Sequence, residues 1–363
     1  MIDRRLLSNI DWILIALLLW NSALGVVFIY SSSHYLPGNF YLRQIAWIVL
    51  SLAALFLFIM ADYKNFLTYS LHLYVVFVFL LAGMLVFGKL VAGTKSWIKF
   101  PFFQVQPSEL IKIAMILLFA QIFSEYKAKY FSWNKLLLSG GAVSLPILLV
   151  VLQPDLGTTL TYVPIILAAL ILAGFNRRSF IFVLVFVLIL SFGVWNLFLK
   201  EYQKQRLITL ISPLQDPLGS GYHILQSKIA IGSGGFLGKG YKKGTQSQLR
   251  FLPARHTDFV FSVIGEEFGY AGVIVVFLSY FLLLSRLFRS IDKSRDRAGI
   301  YIIFLVAMMI AFQFFVNVMM VVGLFPVIGI PLPFLSYGGS SLLTNYLAVS
   351  LVLNVKMRRF VNV

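Results

Sequence analysis

The sequence predicts an all-α fold: a polytopic integral membrane protein with about ten transmembrane helices and one long extracytoplasmic loop, in a single domain covering 1–363. Three observations predict it. Of 363 residues, 60% are hydrophobic and 12% charged, where soluble domains carry roughly 25% charged residues. Ten windows supply the ~20 mostly apolar residues that a bilayer-crossing helix requires. Basic residues are also distributed unequally between the two sides of these windows, as membrane orientation demands.

In order, the windows are 11–30, 44–62, 66–88, 107–123, 136–153, 157–175, 179–199, 259–284, 299–323 and 342–355. The first is too long, and too lacking in a small-residue cleavage site, to be a removed signal peptide; it is a retained span. The fourth carries Glu109 and Lys112, and the fifth hands over to the sixth at Gln153-Pro-Asp-Leu-Gly157. The long loop, about 200–257, follows the seventh, and Glu266 and Glu267 lie within the eighth. Three prolines and a glycine pair between Phe325 and Ser341 interrupt the helical pattern before the tenth.

With the N-terminus in the cytoplasm, that side collects Arg4, Arg5, Arg177, Arg178, Arg286 and Lys356 among others, while the short outer loops hold only Arg43, Lys89, Lys95 and Lys99. Both termini are then cytoplasmic. The net charge of +17 follows partly from this bias and does not point to nucleic acid. It follows also from the outer loop, where Lys204, Arg206, Lys228, Lys239, Lys242 and Arg250 face only two acids, Glu201 and Asp216, before Asp258. That surplus suits an anion, membrane lipid headgroups being the simplest one. The absence of cysteine excludes disulfides, thiolate metal sites and a thiol nucleophile.

Several motifs could carry chemistry, and each has a plainer alternative. Gly232–Gly240 fails the P-loop pattern, since Ser233 stands where its first glycine belongs and Gly240 follows Lys239; its backbone could still present N–H groups to a phosphate. Glu109 and Lys112, three apart, share a helix face, either as a neutralised pair or as part of a cavity. Asp155 suits a helix N-cap. Glu266 and Glu267 sit roughly 12 Å into their helix at 1.5 Å per residue, which calls for a buried cation or a proton. Asp258 could also be an N-cap, but it stands among Arg255, His256 and Thr257 at the end of a basic loop. The four histidines have no metal-ligand spacing and no Gly-x-Ser-x-Gly elbow is present. The segment 325–341, with Ser336, is either an ordinary outer loop or non-helical backbone lining a cavity.

Gln106-Pro-Ser-Glu109 with Lys112, Gln153-Pro-Asp-Leu-Gly157, Phe251-Leu-Pro-x-x-His-Thr-Asp-Phe259 and Pro331-Leu-Pro-Phe-Leu-Ser-Tyr-Gly-Gly-Ser-Ser341 together resemble the SEDS family (shape, elongation, division and sporulation) across about 11–355. The runs Gly244–Leu249 and Lys95–Ile98 look more like its rod-shape branch than its division branch; Ala254 stands where many relatives carry an acidic or polar residue. The resemblance implies a bacterial cytoplasmic-membrane peptidoglycan glycosyltransferase that polymerises lipid II, acting beside a class B penicillin-binding protein. It implies that Asp258 is the general base on the acceptor hydroxyl. It further implies a substrate site drawn from Glu109, Lys112, Asp155, Lys239, Arg255, His256 and Ser336, with Lys239 and Arg255 the first candidates to face the diphosphate. A diphosphate is compatible with a divalent cation, Mg or Mn, although no ligand set is evident. A flippase for the same lipid and a scaffold for the crosslinking enzyme are the rival functions.

Overall fold

The computed structural model describes residues 9–91, 94–100, 103–125, 133–174, 181, 201–211 and 219–358. Helix α1 (Trp12–Ser33) starts at Asp11, whose carboxylate accepts the Leu14 N–H at 3.3 Å, as an N-cap should. Helix α2 (Phe40–Met60) leads to the short α3 (Tyr63–Thr68), capped by Asp62, and to α4 (Ser70–Phe87). Three short antiparallel strands follow: β1 (Lys89–Val91), β2 (Thr94–Lys99) and β3 (Gln104–Val105). They are the departure from an all-α fold among the described residues. Their two to six residues are too few for periodicity to announce them.

Helix α5 (Pro107–Ser124) opens with proline at its first position, where a missing N–H costs nothing. Helix α6 (Trp133–Leu152) precedes α7 (Leu156–Leu160) and α8 (Val163–Leu172), so the sixth window is two helices rather than one. The seventh window, 179–199, falls outside the described residues apart from residue 181. The long loop holds three helices, α9 (Glu201–Ile211), α10 (Ser220–Gly234) and α11 (Thr245–Gln248). Helix α12 (Val260–Phe288) is broken at Gly269, and α13 (Arg297–Val321) and α14 (Gly339–Met357) complete the chain.

Among the described residues, six helices are long and apolar enough to cross a membrane: α1, α2, α4, α5, α12 and α13. Helix α14 spans 19 residues but carries Ser340, Ser341, Thr344, Asn345, Ser350 and Asn354, and nearly all of it is buried. A helix buried all round belongs at the centre of a bundle, and α5 and α13 pack beside it. The periphery is apolar and exposed, with Leu57 65%, Phe79 72% and Phe281 65% accessible; such faces suit acyl chains. Lipid gives helices no hydrophobic reason to associate, so small residues and interhelical hydrogen bonds contribute, at about 0.6–2 kcal/mol each. Ser22 meets the Tyr346 hydroxyl at 2.8 Å, Ser279 donates to Asn21 at 2.8 Å, and Ser227 joins α10 to Ser262 and to the Val321 carbonyl.

At one end of the bundle Asp11 accepts from Arg286 at 2.8 and 3.0 Å and from Lys356. Burial alone would raise the Asp11 carboxyl, but those two hydrogen bonds outweigh it and hold it below its ordinary value. The start of α1 and the end of α14 therefore lie on the same face. The helices of the long loop are not a loose excursion, because α10 runs along α12. A Cβ on Gly234 would come within 2.0 Å of the Gly265 carbonyl oxygen, and one on Gly238 within 2.2 Å of the Glu267 carbonyl oxygen. The glycine-rich run is thus what lets two backbones touch.

Candidate functional site

At the end of the bundle remote from Asp11, the four motifs converge. Gln106, immediately before α5, gives its backbone N–H to Ser340 at 3.0 Å and its side-chain amide to Asp155 Oδ2 at 2.6 Å. Asp155 caps α7: Oδ1 accepts the Thr158 N–H at 3.1 Å and Oδ2 the Thr158 hydroxyl at 2.9 Å. The N-cap reading of Asp155 is therefore correct, although its carboxylate also faces Gln106. Burial raises the Asp155 carboxyl above its usual value, against the Thr158 bonds that lower it, and the charges of Glu109 and Lys112 both act on it. One turn into α5, Lys112 Nζ meets Glu109 Oε2 at 2.7 Å, with the lysine wholly buried. One charge in such a pair cannot be left alone without a penalty of about 3–5 kcal/mol.

The turn before α12 is wound around one acceptor. The N–H groups of Thr257, Asp258 and Phe259 all point to the Ala254 carbonyl, at 3.1, 3.1 and 3.3 Å. Phe259, not Asp258, occupies the N-cap of α12. The N-cap alternative for Asp258 is thereby corrected: the turn places it one residue too early to cap, and its carboxylate is left for other work. That carboxylate lies against Gly329, where a Cβ would sit 3.6 Å from Oδ2; Gly329 has φ 75°, a conformation that glycine adopts without strain. On the other side of the same segment, a Cβ on Gly157 would come within 2.3 Å of the Ile328 carbonyl oxygen. Ile328–Gly329 is thus a thin backbone wall between the Asp155 motif and Asp258. Burial raises the half-buried Asp258 carboxyl to about 6, against the charge of Arg206 and a hydrogen bond from Thr257.

The remaining candidates are each engaged by other parts of the protein. Arg255 is buried and donates to the Ser32 and Ser247 carbonyls, each at 2.5 Å, tying the end of α1 to α11. Lys239 pairs with Glu266 at 3.0 Å and donates to Thr245 at 2.7 Å. The buried Glu266 is thus met by a half-buried cation rather than a fully buried one; Glu266 also accepts the backbone N–H groups of Gln246 and Ser247 at the start of α11, at 2.7 and 3.0 Å. The backbone N–H groups of Gly238, Lys239 and Gly240 go to the carbonyls of Gly234, Glu266 and Glu267, so they are spent on packing and not held ready for phosphate. His256 lies between Phe40 and Tyr337, tilted against both rings with centroids 4.6 and 5.8 Å away; burial, then the Arg255 charge, lowers it to about 4, leaving a neutral ring. Ser336 is buried, its hydroxyl accepting the Leu332 N–H at 2.9 Å and its carbonyl the Gln44 amide at 3.1 Å.

Sequence reasoning passed over Thr158, Arg206 as a neighbour of Asp258, and Asn317. Only the charge of Arg206 could have drawn notice. Among the described residues no three histidine or acidic side chains come together in a way that could hold a metal ion, and Glu109 is engaged by Lys112.

The sequence model of the FtsW/RodA/SpoVE family, described as cell cycle protein, matches residues 11–360. RodA of Treponema pallidum, named as a peptidoglycan glycosyltransferase, is 34% identical over 98% of this chain and 99% of its own. MrdB of Escherichia coli K12, given the same activity, is 35% identical over 87% and 85%. FtsW of Trichlorobacter lovleyi, a probable peptidoglycan glycosyltransferase, is 34% identical over 96% and 93%. Among solved structures, a chain from a peptidoglycan synthase complex that coordinates polymerization and crosslinking superposes with TM-score 0.82 at 32% identity, covering 97% of this chain and 98% of that one. RodA of Thermus thermophilus gives TM-score 0.72 at 29% identity over the same shares.

Proposed function

The chain belongs to the FtsW/RodA/SpoVE family, the SEDS proteins, and on that premise we propose that it is a peptidoglycan glycosyltransferase polymerising lipid II with Asp258 as general base. The observation that carries the assignment of the base is the Asp258 carboxylate itself. It caps no helix, it lies against the backbone of Gly329, and burial raises it to about 6. A base of that strength is better matched to neutral pH than an ordinary carboxylate.

In the reaction, the acceptor sugar's 4-hydroxyl attacks the anomeric carbon of the donor while Asp258 takes its proton, and the bond to the polyprenyl diphosphate breaks. A carboxylate is weak against a sugar alcohol, so transfer is concerted with attack and positioning contributes most. Single displacement inverts the anomeric centre. Across the Ile328–Gly329 wall, Asp155 and the Glu109–Lys112 pair orient the saccharides. Charge gathers on the leaving diphosphate in the transition state, so positive potential there accelerates the step. Lys239 and Arg255, whose polar atoms are engaged by the protein, contribute through the field and by shaping residues 245–258, with Arg206 nearer to Asp258.

The protein sits in the bacterial cytoplasmic membrane with both termini cytoplasmic, a placement supported by the basic asymmetry of the short loops and by the joining of Asp11 to Lys356. A class B penicillin-binding protein is its partner, in keeping with the synthase complex whose chain it superposes on. The runs Gly244–Leu249 and Lys95–Ile98 support a role in elongation. The test is a proteoliposome assay with lipid II supplied on the outer side. Glycan polymer is expected; lipid II movement without polymer would instead identify a carrier.

A further inference from the structure

The side chain of Asn317, near the outer end of α13, is fully buried. Its Nδ2 donates to the Asp258 carbonyl at 3.0 Å and to the Ile330 carbonyl at 2.8 Å. Only an amide NH2 satisfies that position, because turning the amide over would set its oxygen against two carbonyl oxygens. The side-chain oxygen has no hydrogen-bond partner, so the two donated bonds alone fix the group. They join the two backbone segments whose relative placement sets the Asp258 carboxylate. One is the turn that presents it; the other is the residue after Gly329, against which Oδ2 rests.

We propose that Asn317 is a positioning residue for the polymerisation reaction, a two-carbonyl clamp holding the Asp258 turn in register with the Gly329 segment. It touches no reacting atom. The helix that carries it packs beside the central α14 and α5, so the clamp refers the base to the rigid interior of the bundle rather than to the outer loop. A general base displaced by about 1 Å can lose on the order of 10²-fold in rate while substrate still binds. The clamp therefore affects turnover and leaves capture alone. This inference rests on the general-base reading of Asp258.

The experiment measures lipid II polymerisation by purified full-length protein for wild type, Asn317→Leu, Asn317→Asp, Asn317→Gln and Asp258→Asn, alongside thermal unfolding. Asn317→Asp keeps the shape but replaces the donors with oxygen, and Asn317→Gln keeps the donors on a longer arm. If Asn317→Leu yields no folded protein, the Asp and Gln variants decide the matter. Expected is a fall in kcat of about 10- to 100-fold for Asn317→Asp with KM within about twofold, and partial recovery in Asn317→Gln. Wild-type kcat in folded Asn317→Asp, with Asp258→Asn inactive, would overturn the clamp and spare the base. Equal losses in kcat/KM arising wholly from KM would overturn it too. An active Asp258→Asn would overturn both readings together.

Discussion

Gln106 and Asp155 are joined by a 2.6 Å hydrogen bond from the glutamine amide to Oδ2, so the N-cap residue of α5 is tied to the N-cap residue of α7. Because Asp155 also caps α7 through Thr158, loss of either partner should weaken both elements. Thermal or denaturant unfolding of Gln106→Ala, Asp155→Ala and the double variant is expected to show non-additivity of about 0.5–3 kcal/mol. Simple additivity would mean that the two motifs are neighbours without being coupled.

Glu109 and Lys112 keep their total charge if exchanged. A pair that only neutralises itself should then recover much of what either single substitution loses. The exchanged protein is expected to fold and insert but not to polymerise lipid II, because its carboxylate and ammonium face the Asp155 side in the wrong order. Restored polymerisation would return the pair to a purely structural role.

Orientation is open to a direct probe. Lys243 and Arg295 are both exposed, and the proposed topology sets them on opposite sides of the membrane. In intact cells a cysteine at Lys243 should react with an impermeant thiol reagent, and a cysteine at Arg295 should react only after permeabilisation. The opposite pattern would invert the topology and remove Asp258 from the outer face.

How much of this was legible in the sequence depended on range. The helices were readable because apolar runs of some 20 residues have few other uses, and the Glu109–Lys112 pair and the Asp155 cap to Thr158 each join residues three apart. What escaped depended on contacts across the chain. Lys239 and Glu266 are 27 residues apart, and pattern alone gives no reason to pair them. Asn317 reads as one polar residue in an apolar helix until Asp258 and Ile330 arrive beside it. Gly238 resembled part of a phosphate loop, yet its lack of a side chain serves contact with α12. Asp258 could be read as a cap or a base, and one residue of register in the turn after Ala254 removes the cap reading.

The raised Asp258 carboxyl has a stability consequence. Its folded value is about 6, against about 3.9 in an unfolded chain. The folded state binds this proton more tightly, so its contribution to stability falls as pH rises from about 4 to about 6 and stays low above. Asparagine cannot ionise, so Asp258→Asn should unfold at a higher temperature than wild type at neutral pH. A lower Tm would indicate that the carboxylate is stabilised by partners and is not held ready for catalysis.

The general-base role of Asp258 is tested most directly by the pH dependence of kcat/KM for lipid II polymerisation, with wild type and Asp258→Asn compared at matched folded protein. A base must be ionised to accept a proton. Wild-type kcat/KM should therefore fall about tenfold per pH unit below about 6 and be level above it. The Asn variant should be about 10²–10⁴-fold slower in kcat, with lipid II affinity nearly unchanged. An Asn variant within a few-fold of wild type, retaining the acid limb, would contradict the account and pass the role of base to Asp155 or Glu109.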